Sequence, residues 1–407
     1  VASTPAAEKS WTFMVYMAGD NNLDPEGVQD LKEMKKVGSS NRVNVIAQFD
    51  RASGHEAKRY LLRKGGQAGN DAVASVGKVN TGDPKNLTAF IEWGVKTYPA
   101  KHYALVLWNH GQGWDDTDIY AEERFRSLRR LPNSRVRHAL FHTPVRSALE
   151  GAKRDADFRA ILLDDNAKDF LDNLEMKQVL TDAAKLLKRN LDLLGMDACL
   201  MSMIEVGYQI HQSVDFTVGS EQTEPGNGWP YDKILTNLVK NPEMTPQDLS
   251  AMIVDQYLAS YDDDSVTQSA CVLSKAEALG TAIAGVATAL KGSQGDVATK
   301  QRILMARAQV QSYEVPDNID LVDFCTLLAQ HIPGSQIAQR CQEVIQVVQS
   351  SYVLKQGYKG SDLENSHGVA IYFPRFAVSP LYAGLDFNKQ TGWDEFLKGY
   401  LKTIRSR

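Results

Sequence analysis

Four short apolar runs, each closed by a polar or glycine-rich turn, constrain this chain more than any other feature. They are Trp11 to Ala18 (WTFMVYMA), Val43 to Phe49 (VNVIAQF), His102 to Trp108 (HYALVLW) and Leu191 to Gly195 (LDLLG). Residues that are apolar at consecutive rather than alternate positions, and rich in aromatic and β-branched types, suit strands covered on both faces. Helical stretches stand between them. Asp24-Pro25-Glu26 is predicted to open a helix with an N-cap and Pro in its first turn. Asp83-Pro84 opens another, reaching about Tyr98 with Leu87, Phe90, Ile91 and Val95 on one face, and Glu175 to Lys188 forms a third. Arg59 to Leu62 reads as a short strand. Strand, helix and strand joined by short connections give a mostly parallel α/β sheet, whose chemistry sits in loops at the carboxyl ends of strands.

Further strands are expected at Phe216–Ser220, Ser269–Leu273 and Val369–Phe373, and helices over about 246–260, 275–291, 297–312 and 320–353. The organisation read from this is a flexible leader over 1–10 and a core over 11–235. A helix-rich region over 236–407 then returns strands near 269–273 and 369–373 to the core. Of 407 residues, 43% are hydrophobic and 23% charged, and net charge is −5. That balance excludes a disordered or fibrous chain and lacks the basic footprint of a nucleic-acid binder. No apolar run approaches the ~20 residues of a membrane span. Four cysteines are too few for a disulfide framework. Position 1 is Val, and VASTPAAEKS is small and polar. It reads equally as a leader left after a targeting segment is removed, which would place the chain outside the cell or in its envelope, or as an arbitrary boundary. No Cys at position 1 offers a lipid anchor.

Two strand ends carry reactive side chains: Asn109-His110-Gly111 after the third run, and Asp197-Ala198-Cys199 after the fourth. A thiol near its ordinary pKa of ~8.5 needs an imidazole to remove its proton and later to protonate a leaving amine. Gly111 has no side chain to block a carbonyl, so its N–H can join that of Cys199 as an oxyanion hole. The plainer alternatives are a buried structural Cys and a structural His. The segment joining the two blocks is unusual, because residues 122–160 hold ten Arg or Lys against five acids. A loop this long in a compact domain is either functional or disordered.

The strings WTFMVYMAGDNNLD, ALVLWNHGQGW, LDLLGMDACLMSMIEVGYQI, GSEQTEPGNGWPY and GVAIYFP, in that order, resemble the clostripain family of cysteine peptidases. The resemblance implies a caspase-like three-layer α/β sandwich with a mostly parallel central sheet and a helix-rich C-terminal subdomain. It makes His110 the catalytic imidazole and Cys199 the nucleophile of an endopeptidase cleaving after Arg, or Lys. Asp197 then becomes the acid beneath the substrate's basic side chain, a carboxylate suited to pairing with guanidinium or ammonium; the alternative is an acid capping the next helix. Glu224, Asn227 and Trp229 would form another wall, with Trp229 along the substrate's aliphatic stem or else in the core. The family is made as zymogens, so a basic linker over about 121–174 would be cut, with Arg124, Arg126, Arg129 and Arg130 as the leading sites. The two fragments would stay together and the enzyme would act as a monomer. No cofactor is required, although calcium is allowed.

Smaller features carry smaller expectations. Asp164-Asp165-Asn166 and Asp262-Asp263-Asp264-Ser265 could hold calcium but lack the twelve-residue loop pattern, and read first as solvated turns. Cys271, Cys325 and Cys341 read as packing residues, with Cys325 and Cys341 able to face each other between helices. His367-Gly368 reads as coincidence. The competing functions are a silent scaffold that keeps the fold without turnover, and a basic-loop adhesin for polyanions.

Overall fold

The structure, a computed structural model, describes residues 8–52, 56–114, 161–262, 264–293 and 295–405. Its strands, in chain order, are β1 (Lys9–Gly19), β2 (Val43–Arg51), β3 (Ala57–Leu61), β4 (Ala72–Gly77), β5 (Ala100–Trp108), β6 (Ile161–Asp164) and β7 (Asp169–Leu171). They continue as β8 (Leu191–Asp197), β9 (Val214–Gly219), β10 (Val266–Val272), β11 (Asn318–Asp320), β12 (Val353–Lys359) and β13 (Ala370–Tyr372). Nine form one sheet in the order β12-β10-β9-β8-β5-β1-β2-β3-β4. The five central strands, β2 to β9 in that order, run parallel. The two outer strands on each edge are antiparallel.

Strand β1 shows why the central runs are apolar at every position. Trp11, Phe13, Val15 and Met17 enter one core, shared with the helices Asp24–Val37, Tyr231–Lys240 and Pro246–Ala259. Met14, Tyr16 and Ala18 enter the other, shared with Pro84–Thr97, Asn173–Leu187 and Ala276–Gly292. Each such buried side chain contributes roughly 1.5–3 kcal/mol, so a helical layer on both faces is the stable arrangement. Helices of the C-terminal region, including Leu321–His331 and Trp393–Arg405, share the second core with the half that carries β1, β5 and β8.

Several local expectations need correction. Asp24 is the first helical residue, not the cap; its carboxylate instead holds the Arg51 guanidinium at 2.7 and 2.8 Å. The stretch 320–353 is two helices, Leu321–His331 and Gln336–Val347, separated by Pro333-Gly334 and restarted by Ser335, which accepts from the Ala338 amide at 3.1 Å. Strand β12 follows as an edge strand, and its Lys and Gln residues hide it from a search for buried runs. Residues 369–373 do not join the main sheet, whose edge β12 occupies. They give β13, which pairs with β11 in a separate two-stranded sheet.

Asp262 and Asp264 are exposed, whereas Asp164 is fully buried, against its reading as a solvated turn. Cys271, Cys325 and Cys341 are buried free thiols, and the Cys325 and Cys341 thiols contact each other. His367-Gly368 is structural: the His367 ring bonds Asp320 at 3.0 Å, and the Gly368 amide donates to Glu221 at 2.9 Å.

Candidate active site

Neighbouring strands β5 and β8 end together, because Trp108 and Asp197 are partners in the parallel register. His110 stands two residues beyond Trp108, and Cys199 two beyond Asp197. The Asn109 amide donates to the Asp197 carbonyl at 3.3 Å, so the ladder continues to the edge of the site. Residues 89 apart in sequence thus line one cleft, together with Asp197 and Glu224. Leu200, directly after the thiol, takes the left-handed backbone (φ +63°) that non-glycine residues seldom adopt. That bend turns the chain away from β8 and leaves Cys199 at the rim.

The imidazole is oriented by a residue that the sequence reading missed. Nε2 of His110 lies 2.9 Å from Oδ1 of Asn22, in the loop after β1. A carbonyl oxygen only accepts, so this contact selects the tautomer protonated at Nε2 and makes Nδ1 the basic nitrogen. Asn109 braces the same turn, with its side-chain amide donating to the Ala18 carbonyl and its Oδ1 accepting from the His110 amide. The Cys199 sulfur accepts from the Glu224 amide at 3.2 Å.

Desolvation in this half-buried cleft leaves both groups neutral. Desolvation, aided by the nearby Glu224 and Asp197 carboxylates, pushes the Cys199 thiol up to about 12. Desolvation lowers His110 to about 4. The cleft is also narrow, about 30 Å³, room for only a few waters.

Beneath the sulfur lies a cluster of acids. Asp197 is buried and accepts from the Tyr231 hydroxyl at 2.7 Å and the Trp229 amide at 3.4 Å. Burial raises its pKa to about 6. Glu224 adjoins it and accepts from the Gln268 amide at 3.2 Å; burial and then the Asp197 charge raise its pKa. Asp30, from the helix Asp24–Val37, is the third member. Burial and then Asp197 raise it as well, while the Trp108 indole N–H, 2.7 Å away, opposes the shift. No salt bridge among the described residues joins any of the three to Lys or Arg. Gly228 (φ +56°) keeps the approach open, since a Cβ there would lie 3.2 Å from one Asp197 oxygen and 3.5 Å from Asp30.

The predicted residues therefore divide. His110, Cys199, Asp197 and Glu224 meet at the cleft. Gly111 packs against the Ala198-Cys199 turn: a Cβ there would lie 2.7 Å from the Cys199 carbonyl oxygen and 2.8 Å from Ala198 Cβ. Gly111→Ala is accordingly expected to displace that turn. It should cost about 1–3 kcal/mol of stability by overpacking and about 10²-fold in kcat through a misplaced donor, measured by thermal melts and steady-state kinetics. Trp229 is not a substrate wall. Its side chain is fully buried, fills the space over Gly195 and meets the acids from within, its amide toward Asp197 and its indole toward Glu224. Asn227 is exposed and does not line the cleft, because the flanking glycines form that part of the wall. Arg124, Arg126, Arg129 and Arg130 lie outside the described residues.

A sequence model of the clostripain family matches residues 15–127 and 147–400. The chain belongs to the clostripain family. Clostripain of Hathewaya histolytica is 28% identical over 253 residues, which are 56% of this chain and 42% of that protein. The match thus spans less than half the length of that relative. Three solved structures share the fold. A secreted C11 cysteine protease from Bacteroides thetaiotaomicron with an irreversible peptide inhibitor has a TM-score of 0.64 at 20% identity, over 95% of this chain and 100% of that one. An inactive zymogen C11 protease from Parabacteroides distasonis gives 0.67 at 19%, over 95% and 99%. The Bacteroides thetaiotaomicron protease named iotapain gives 0.68 at 15%, over 95% and 100%. The caspase-like three-layer architecture is common to them. Among the described residues no helix is long and apolar enough to cross a membrane.

Proposed function

We propose that this chain is a cysteine endopeptidase that cleaves after Arg or Lys, is made as a zymogen, and cuts itself in the basic segment between His110 and Cys199. The single observation that carries the reading is the meeting of His110 and Cys199 at paired strand ends, above three carboxyls without a basic partner. Burial raises all three acids, and a cation seated among them would favour their ionised form. A substrate guanidinium or ammonium supplies one, and Gly228 leaves room for its approach.

In the reaction, His110 Nδ1 takes the thiol proton as Cys199 Sγ attacks the scissile carbonyl carbon. The Cys199 and Gly111 amides receive the developing oxyanion. Collapse breaks the C–N bond, and the imidazolium returns the proton to the leaving amine. Water then attacks the thioester with His110 again as base, releasing the carboxylate product and the thiol. Asn22 keeps the Nε2 proton in place throughout.

The narrow cleft and the neutral Cys199–His110 pair suit an inactive precursor. After cutting, the fragments stay joined, because β1, β2 and β5 precede the segment and β8 to β10 follow it in one sheet. Secretion or a place in the cell envelope is supported by the fold it shares with a secreted C11 cysteine protease. Intact-mass analysis of the purified chain beside Cys199→Ala tests the reading. Two fragments, the upstream one ending in Arg or Lys, are expected from the first and one chain from the second. Identical cutting of both, or none after incubation with active enzyme, overturns it.

A further inference from the structure

A buried pair of acids stands behind the nucleophile, and the peptidase chemistry makes no use of it. The segment Ser220 to Glu224, which leaves β9, supports the turn that carries Cys199. Its Gln222 and Ser220 carbonyls accept from the Leu200 and Ser202 amides at 3.1 and 2.8 Å, and its Glu224 amide donates to the Cys199 sulfur at 3.2 Å. The other side of the segment is fastened to the C-terminal region. The Glu221 carboxyl accepts from the Gly368 amide at 2.9 Å, and the Gln222 side-chain carbonyl accepts from the Glu314 amide at 2.9 Å.

Glu221 is 2% exposed and reaches Asp320 of β11, which is wholly buried. The two acids are unequally served. Asp320 accepts from the His367 and Asp323 amides, each at 2.6 Å, from the His367 ring at 3.0 Å and from the Tyr313 hydroxyl at 3.4 Å. So many donors suit an ionised carboxylate. Glu221 has only the Gly368 amide on one oxygen. Its Oε1 is buried without a hydrogen-bond donor, since the Tyr313 hydroxyl, close to both acids, donates to Asp320. A second anion here would be costly, whereas a proton on Oε1 both removes the charge and supplies a donor toward Asp320. Burial and then the Asp320 charge raise Glu221 well above the ordinary carboxyl range. Burial alone would lower His367, but Asp320 outweighs it and raises the imidazole. The other titratable groups facing the pair are Asp323 and Cys325 on the helix Leu321–His331 and the Cys271 thiol on β10.

We propose that Glu221 is a positioning residue, held as the neutral acid with its Oε1 proton donated to Asp320, and that this bond seats Ser220–Glu224 against the nucleophile. Loss of the proton leaves two carboxylates in contact out of water. Their repulsion moves the segment, and with it the Glu224 amide that touches Cys199 and the Glu224 wall of the cleft. Rising pH thus loosens the site from behind. The activity arm of the test rests on the peptidase reading; the melting arm does not.

The test compares the full chain with Glu221→Gln, whose amide donates at every pH and whose oxygen can still accept from Gly368. Because the Glu221 carboxyl is raised on folding, the native parent holds an extra proton above the unfolded value, so its stability falls as pH rises; the amide variant lacks that fall. The two Tm values should agree near pH 5 and differ by roughly 3 °C in favour of Glu221→Gln at pH 9. On an Arg peptide, kcat/KM should agree within about threefold at pH 6 and favour Glu221→Gln by about tenfold at pH 9. The ionisations of Cys199, His110 and Asp197 are common to both proteins and leave this ratio unmoved. Glu221→Leu, with no donor, should lose about tenfold at either pH. Parallel melting curves across the range overturn the shared proton. An activity ratio that stays constant with pH, or a fully active Glu221→Leu, overturns the positioning role. A parent that hydrolyses nothing sinks the peptidase reading alone, and the rate of Cys199 alkylation by iodoacetamide then replaces kcat/KM in the same comparison. Should Glu221→Leu not fold, the pH series of the parent beside Glu221→Gln still decides.

Discussion

Removing the imidazole by His110→Ala is expected to lower kcat/KM on an Arg-containing fluorogenic peptide by about 10⁴-fold, and Cys199→Ala to remove hydrolysis altogether. The reason lies in the charge state of the pair. With the thiol near 12, roughly one molecule in 30,000 carries a thiolate at about pH 7.5. Proton transfer to His110 is therefore the route to a nucleophile, and without it only that rare thiolate reacts. A pH signature follows. Residual activity of His110→Ala should climb about tenfold per pH unit from 7 toward 10, tracking the thiolate, whereas the parent enzyme should not show that slope. The double variant should be no worse than Cys199→Ala, because the two side chains act as one unit. Retention of a tenth of the activity in His110→Ala, or a flat pH profile, would show that another group is the base.

Much of this arrangement is legible in the chain because its physics is local. The apolar runs at 11–18 and 102–108 have no surface face, so they must be central strands, and the polar residues that end them must lie at strand ends. From there the nearness of His110 and Cys199 needs only that β5 and β8 be neighbours, which the resemblance supplied and the register shows. What escaped is what depends on folding at a distance. Asn22 is an ordinary turn residue until β1 and β5 place it beside the imidazole. Asp30 sits in an amphipathic helix as one acid among several, and only packing of that helix under Trp108 brings it to Asp197. Asp20, Asp50 and Asp164 come together from three segments, and Asp164 alone drew notice, in a cluster able to hold calcium but read first as a solvated turn. Trp229 misled for the opposite reason. Beside a functional loop its ring passes for a binding surface, but Gly195 on the adjacent strand leaves an indole-sized space that takes it inward.

Asp197→Asn separates recognition from stability. A guanidinium seated in the cleft would lose its closest counter-charge, and breaking a buried ion pair costs about 3–5 kcal/mol when nothing compensates. Here something does. Asp30 and Glu224 are held up partly by the Asp197 charge, so its removal lets them ionise more readily and partly replace it. The expected loss in kcat/KM is therefore nearer 10²-fold for an Arg substrate, and small for a matched norleucine peptide. Stability should move the other way. The Asp197 carboxyl rises from 3.8 to about 6 on folding, so over that interval the native state holds more protons than the unfolded chain, and stability falls as pH rises. Full ionisation above the folded value thus costs roughly 3 kcal/mol, at about 1.4 kcal/mol per unit. The amide has no such charge to bury and its oxygen still accepts from the Tyr231 hydroxyl. The variant should consequently melt higher than the parent at pH 7–8, with the difference vanishing below about pH 4. Thermal melts from pH 4 to 8, beside kcat/KM on the two peptides, read both effects. An unchanged Arg-to-norleucine ratio would remove Asp197 from the pocket, and a lower melting temperature at pH 8 would mean that its hydrogen bonds outweigh its buried charge.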